Sequence, residues 1–457
     1  MRTIAQAARD LRQGRTTARE LLERALLRID DPTGQGSQTF MSVTRETARR
    51  QADHIDRHHD WADASASPLC GIPLSIKDVF DVAGEVTRAG SVARESAKVA
   101  TADADAVVAL KRAGGIILGR TTMSEFAFSG IGINSNYGTP LNPWDRQVRR
   151  IAGGSSSGSA VSVADGMALG ALATDTGGSI RAPAALCGLT GFKPSRAAVS
   201  VKGMFPRSYS LDTVGPIANS VSCCRVLFEA LSGLYNAAQT RPRSSEGIIH
   251  LGLIDGEPLD RLSPEVREAF DAAISRLSTA SVRITLFPMP EISRIRAVTS
   301  GTGISPPEAY TIHRHLLETN PEKLNPIFRA RLMRARETRA SDYIAALQER
   351  ERIKEDAALT TAPFDALLMP TCPILAPRLD QVEDNAEFEK FSALLLSNCN
   401  LANFLDRPAI TLPITSLGAP PAGLMLMGGP AGDHSLLDVA QRCEAILGFR
   451  GDDEIGS

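Results

Sequence analysis

Lys77 ends the apolar run Gly71-Ile72-Pro73-Leu74-Ser75-Ile76, and two stretches rich in glycine and serine follow downstream. They are Gly153-Gly154-Ser155-Ser156-Ser157-Gly158-Ser159 and Asp175-Thr176-Gly177-Gly178-Ser179-Ile180-Arg181. No histidine lies between His59 and His250, so the region densest in candidate nucleophiles lacks the usual base. A hydroxyl attacks at neutral pH only with a base in hydrogen-bond reach. A lysine can serve when burial disfavours its ammonium form.

Each element also has a plainer reading. Ser179, behind two glycines at the end of a buried run, is either a helix cap in a tight turn or a nucleophile. In the second case converging backbone N–H groups would hold an oxyanion. Lys77 is either a surface lysine or a base buried by its apolar flank. Gly154-Ser155-Ser156-Ser157-Gly158 fits the G-x-S-x-G elbow, which needs a strand before it. Arg149-Arg150-Ile151-Ala152 does not read as one. No phosphate-binding G-x-x-x-x-G-K-[ST] occurs, and none of the eight lysines follows a serine by three residues. Any serine–lysine chemistry must therefore be assembled by the fold. The pairs His58-His59 and His313/His315 read as exposed helix residues rather than metal ligands.

The elements that must position these groups alternate between helix and strand. Residues 4–29 carry helical spacing with Thr16-Thr17 as an internal cap, and residues 43–60 suggest a second exposed helical segment. Strands are expected at Ile72–Ile76, Ile116–Leu118 and Leu169–Thr174, with helices at Asp105–Arg112, at Ala160–Ala168 and from about Pro183. Gly132–Arg150 reads as a polar loop. Further on, strands are expected at Ile248–Ile254, Val282–Phe287, Ala366–Met369 and Ile410–Leu412. Asn325–Leu359 reads as a solvated arginine-rich helix or helical pair. The alternation favours an α/β fold, with residues 1–457 as one domain, a core at about 65–220 and a more variable helical region at about 225–365.

The bulk numbers exclude several classes. Apolar residues make up 43% and charged residues 22%, which is globular rather than disordered. With 50 basic against 52 acidic side chains there is no basic block for nucleic acid or an anionic membrane. No apolar run approaches a membrane span. The seven cysteines show no C-x-x-C spacing, so a reduced, cytoplasmic chain without structural zinc is expected.

Taken together, the motifs resemble the amidase signature family. The resemblance runs from Gly71-Ile72-Pro73 through Asn142-Pro143-Trp144, both glycine–serine stretches and Gly191-Phe192-Lys193-Pro194 to Ser210-Leu211-Asp212-Thr213. It implies an α/β/α sandwich around a large mixed, twisted sheet surrounded by helices. It also implies a Ser–Ser–Lys triad with Ser179 as nucleophile, Ser155 as relay and Lys77 as general base. The Gly154–Ser155 peptide would be cis, and the backbone amides of Thr176, Gly177, Gly178 and Ser179 would form the oxyanion hole. Phe128, Gly130 and Ile131, in a segment with Met123, Phe126 and Ile133, would border the acyl pocket. That segment leans towards small, uncharged apolar or aryl amides, extending to carbamates (urethanes), with linear amides rather than peptide bonds cleaved. Arg181 is expected to pair internally with Asp175.

The resemblance requires no metal and no cofactor. The partner it implies is a small-molecule amide, with no nucleic acid and no membrane, and it is compatible with a homodimer. Two alternatives stand beside it: the glutaminase subunit of a tRNA-dependent amidotransferase, and a catalytically inactive binding or scaffold homologue. Lys193-Pro194-Ser195-Arg196-Ala197-Ala198 departs from that subunit's Lys-Pro-Thr-Tyr-Gly-Arg pattern, which tilts the reading towards a stand-alone amidase.

Overall fold

The computed structural model describes residues 2–61, 67–233, 247–278, 281–416 and 418–448. Residues 65–66 of the expected core, and 234–246 and 279–280 of the expected helical region, lie outside them. The fold is α/β, built on one mixed sheet of eleven strands. In chain order these are β1 (Phe40–Val43), β2 (Pro73–Lys77), β3 (Ile116–Thr121), β4 (Gly170–Asp175), β5 (Thr190–Lys193) and β6 (Thr213–Ala218). The remaining five are β7 (Ile249–Ile254), β8 (Val282–Phe287), β9 (Ala366–Pro370), β10 (Ala409–Pro413) and β11 (Gly423–Met427). Their order across the sheet is β1-β3-β2-β4-β6-β5-β10-β11-β9-β7-β8. β2 runs parallel to both β3 and β4, whereas β4, β6, β5, β10, β11 and β9 are successively antiparallel. Central strands are buried along their whole length, as expected of a sheet covered by helices on both faces.

Locally encoded helices form where expected. Thr17 caps Ala18–Asp30 by accepting the Glu20 N–H, and Asp105–Arg112 matches its expected bounds. Residues 43–60 resolve into β1's last residue and the helix Arg45–His58. Other expectations need correction. The helix expected at Ala160–Ala168 begins earlier, at Ser157, and ends at Ala164. Its serines are poor helix formers alone, but Ser159 Oγ meets Thr121 Oγ1 at 2.9 Å and Ser162 Oγ meets Ser75 Oγ at 2.8 Å. Tertiary hydrogen bonds thus override local propensity.

Four strands escape the sequence pattern: β1, β5, β6 and β11. β6 carries Pro216 in the middle of the sheet, where proline is disfavoured. It is tolerated because β5 pairs only with Ile217 and Ala218, so the second ladder has ended before Pro216. The stretch at 325–359 is a helical pair, Pro326–Ala335 and Ala340–Thr361. It is not uniformly solvated, since Arg350 is buried and donates to the carbonyls of Phe404 and Asn403. Among the described residues no helix is long and apolar enough to cross a membrane.

Candidate active site

Three buried segments converge at the C-terminal ends of β2 and β4. Lys77, the last residue of β2, is fully buried between β3 and β4. Its Nζ lies 2.7 Å from Ser155 Oγ and 2.9 Å from Thr174 Oγ1, and no carboxylate forms an ion pair with it among the described residues. Burial brings its pKa down to about 7; the Arg207 charge pushes the same way, while Asp175 and Asp212 oppose. The amine is therefore substantially neutral near pH 7.

The serine stretch is held by a neighbouring loop. Gly154 N–H donates to Gly130 O at 2.8 Å, and Ser124 N–H donates to Ser155 O at 3.1 Å. The Gly154–Ser155 peptide is cis. A Cβ on Gly154 would lie 2.6 Å from both Gly132 N and Ser129 O, so the loops touch only because residue 154 has no side chain. The G-x-S-x-G alternative lacks its strand: Ile151 makes only an isolated bridge with Leu141. Ser156 Oγ instead donates to Thr174 O at 3.4 Å.

β4 ends in Asp175, which organises the turn after it. Its Oδ1 accepts the Gly178 N–H at 2.7 Å, Arg181 Nη2 at 2.9 Å and Asn403 Nδ2 at 2.8 Å. Its Oδ2 accepts the Ile180 N–H at 3.1 Å and Arg181 Nε at 3.0 Å. Burial alone would raise this carboxyl, but Arg181, Lys193 and the hydrogen bonds hold it well below the usual range. Arg181 thus pairs internally, as expected. Thr176 Oγ1 donates to Asp212 Oδ1 at 2.6 Å, tying the turn to the loop before β6.

Ser179 Oγ is buried and has no hydrogen-bond partner among the described residues. A nucleophile needs its lone pairs unspent. Gly178, at φ +129°, occupies backbone space that disfavours other residues, and a Cβ there would lie 2.5 Å from Cys399 Cβ. One expected donor must be struck out: the Gly178 N–H is spent on Asp175. The N–H groups of Thr176, Gly177 and Ser179 have no acceptor among the described residues.

The expected pocket residues divide. Phe128 lines a cleft with Ser124, Ser129, Phe328, Arg331 and Phe388. Ile131 is fully buried and packs in an apolar cluster with Ala182, Ala185 and Leu186. Gly130 acts on the backbone instead, its N–H donating to Ser392 Oγ at 3.0 Å and its carbonyl holding Gly154. Met123 and Phe126 are also core. The expectation for His313 needs correction. It is completely buried against Phe126, Phe205 and Phe328, and burial lowers its pKa to about 3. It remains a neutral ring at physiological pH.

Thr174, Asn403, Ser392, Arg207 and Arg331 reach the site without any local sequence signal. Asp212 lies in the stretch Ser210-Leu211-Asp212-Thr213, which by itself assigns it no role. Among the described residues no group of three or more His, Cys, Asp or Glu side chains is placed to hold a metal ion.

The family model for amidases matches residues 20–437. The chain is 33% identical over 407 residues to 2-amino-5-chloromuconic acid deaminase of Comamonas testosteroni, covering 88% of this chain and 87% of that one. It is 34% identical to a subunit of the glutamyl-tRNA(Gln) amidotransferase of Chromohalobacter salexigens, covering 96% of each. A solved structure described as an amidase superposes with a TM-score of 0.85 at 32% identity, covering 97% of this chain and 99% of that one.

Proposed function

Because this chain belongs to the amidase family, whose chemistry is hydrolysis of C–N amide bonds, we propose that it cleaves small amides through an acyl-enzyme on Ser179. The observation that carries this reading is Lys77: buried, without a carboxylate partner, and 2.7 Å from Ser155 Oγ. A neutral Lys77 donates one N–H to Thr174 Oγ1 and keeps its lone pair for the Ser155 proton. Ser179 Oγ makes no hydrogen bond among the described residues, so the relay requires its hydroxyl to turn onto Ser155 when substrate binds. Ser155 then takes the Ser179 proton as the Ser179 oxygen attacks the carbonyl carbon. The N–H groups of Thr176, Gly177 and Ser179 receive the developing oxyanion, each such donor being worth about 2.7–4 kcal/mol. As the C–N bond breaks, Ser155 protonates the leaving nitrogen and recovers a proton from Lys77. Water then attacks the acyl-enzyme by the same relay. Carbamates present an equivalent carbonyl and fall within the same chemistry.

The test is covalent labelling. A serine-directed phosphonate followed by peptide mass spectrometry is expected to mark Ser179, and a folded Ser179→Ala protein is expected to lose turnover. A label on Ser156 would overturn the assignment.

A second reading is supported by the similarity to the amidotransferase: glutamine hydrolysis for a partner protein. The Lys193-Pro194-Ser195-Arg196 stretch supports the stand-alone reading instead. Hydrolysis of an anilide by purified protein alone favours the stand-alone enzyme. Glutaminase activity that needs an added partner favours the amidotransferase role.

A further inference from the structure

Arg207 has no part in the hydrolysis derived above, yet it stands beside it. Its backbone N–H donates to Asp212 Oδ2 at 2.8 Å, and Asp212 also receives the hydroxyl of Thr176 at the head of the nucleophile turn. Its guanidinium donates once, from Nη1 to Ala127 O at 2.7 Å, and Cζ lies 4.9 Å from the centre of the Phe128 ring. Nε is buried with no acceptor, and no carboxylate pairs with the guanidinium among the described residues.

The acids around it are already committed. Asp212 accepts from Thr176 and from the N–H groups of Arg207 and Ser208. Glu308 accepts from the hydroxyls of Ser208, Ser210 and Tyr343, and Glu389 holds Arg331 and Arg334. Burial lowers the Arg207 pKa to about 10, with Asp212 opposing, so the group is charged at neutral pH. Of the charged neighbours acting on Lys77, Arg207 is the strongest. A half-buried guanidinium with unused N–H groups has its desolvation cost uncompensated, and a planar carboxylate is the partner that its fork fits.

We propose that Arg207 anchors a carboxylate of the substrate, so that the preferred amides carry an acid group within a few bonds of the scissile carbonyl. This rests on the hydrolase reading above and replaces the apolar, uncharged substrate expected from the segment around Phe128. Phe128 then packs beside the anchor, with Arg331 reaching the same ring at 5.6 Å and donating to Phe128 O at 3.0 Å. Substrate charge then also sets the pH dependence. A bound carboxylate offsets the Arg207 charge and so raises the pKa of Lys77 in the complex. For an acidic substrate the rising limb of kcat then lies at higher pH than that of kcat/KM, whereas for a neutral substrate the two limbs coincide.

The test uses two substrates matched in shape, the mono-4-nitroanilide of succinic acid and the 4-nitroanilide of butyric acid. The wild-type protein is expected to prefer the acid in kcat/KM by about tenfold to a hundredfold, the worth of a hydrogen bond to a charged group. Arg207→Ala is expected to erase that ratio mainly through KM and to close the gap between the two pH limbs. Arg207→Lys retains part of the ratio, and Arg207→Gln carries the same test should the alanine variant unfold. A wild-type protein without preference for the acid, or a folded Arg207→Ala protein with an unchanged ratio, overturns the proposal. If neither anilide is cleaved, the hydrolase reading fails separately, and calorimetry of the acid with Ser179→Ala protein decides the anchor. Binding lost on adding Arg207→Ala supports it; absent binding, or binding indifferent to Arg207, overturns it.

Discussion

The stretch from β2 to β6 and the helices between Glu291 and Thr361 handle charge in opposite ways. In the first, two charge clusters are taken out of water and held by several partners. Arg181 and Asp175 are both 0% exposed, and Arg120 is buried with Asp78 while also reaching Glu85. In the second, ion pairs lie in solvent: Arg294 bridges Glu349 and Asp356, and Lys354 meets Glu351. These helices are held instead by an apolar stripe that includes Phe328, Leu332, Ile353 and Ala357. Buried ion pairs seldom raise stability over an apolar core, because desolvation offsets their attraction. The Asp175–Arg181 pair in the turn that carries Ser179 therefore marks a place where geometry, rather than stability, is what the residues supply.

The hardest way to break this contrast is at Asp175. Asp175→Ala leaves Arg181 buried without its anion and releases the Gly178 N–H. It is expected to cost about 3–5 kcal/mol, read from urea denaturation, with activity lost alongside. A loss within the range of a surface substitution would show that the turn is held by backbone alone.

Glu308 is where the two regions meet, since its carboxylate collects the hydroxyls of Ser208, Ser210 and Tyr343. Glu308→Gln weakens three hydrogen bonds to a charged acceptor, and a loss of about 1.5–3 kcal/mol is expected in the same denaturation experiment. A fall in kcat/KM should accompany it, because Ser208 N–H also holds Asp212.

The pH profile sharpens the comparison without mutation. In the proposed mechanism the productive form of Lys77 is the neutral amine, and burial lowers its pKa to about 7. Its neutral fraction grows as pH rises, so kcat/KM should climb through about pH 7 and fall about tenfold per unit well below it. A rising limb near lysine's ordinary value of about 10.4 would mean that the amine is not desolvated in solution. The smallest effect belongs to the solvent side. Arg294→Ala should leave the urea midpoint and kcat/KM unchanged within error, because exposed pairs are screened by water and salt.

Local chemistry makes much of this legible in the chain. Thr17 before Ala18-Arg19-Glu20 announces a capped helix, and Gly114-Gly115 announces the end of Asp105–Arg112. Ile72 to Ile76 reads as a strand because a short, mostly apolar run needs burial on both faces. β5 and β6 stay hidden because Gly191, Gly215 and Pro216 argue against strands wherever the neighbouring ladder is unknown. His313 reads as exposed for a similar reason: its burial comes from Phe126, Phe205 and Phe328, two of them over a hundred residues away in sequence.

By itself, the sequence determined the reagents: hydroxyls and glycines in two stretches, one lysine at a strand end, and no histidine near them. Only the tertiary structure decided their state. Placing β2 between β3 and β4 strips water from Lys77, and desolvation, which no local pattern encodes, brings the neutral amine within reach near pH 7. The same packing spends the Gly178 N–H on Asp175 and, among the described residues, leaves Ser179 Oγ unpartnered and brings Arg207 to the site without an anion. Hydrogen bonds and fields act over a few ångströms of space, and the residues that set them here are separated by tens to hundreds of positions along the chain.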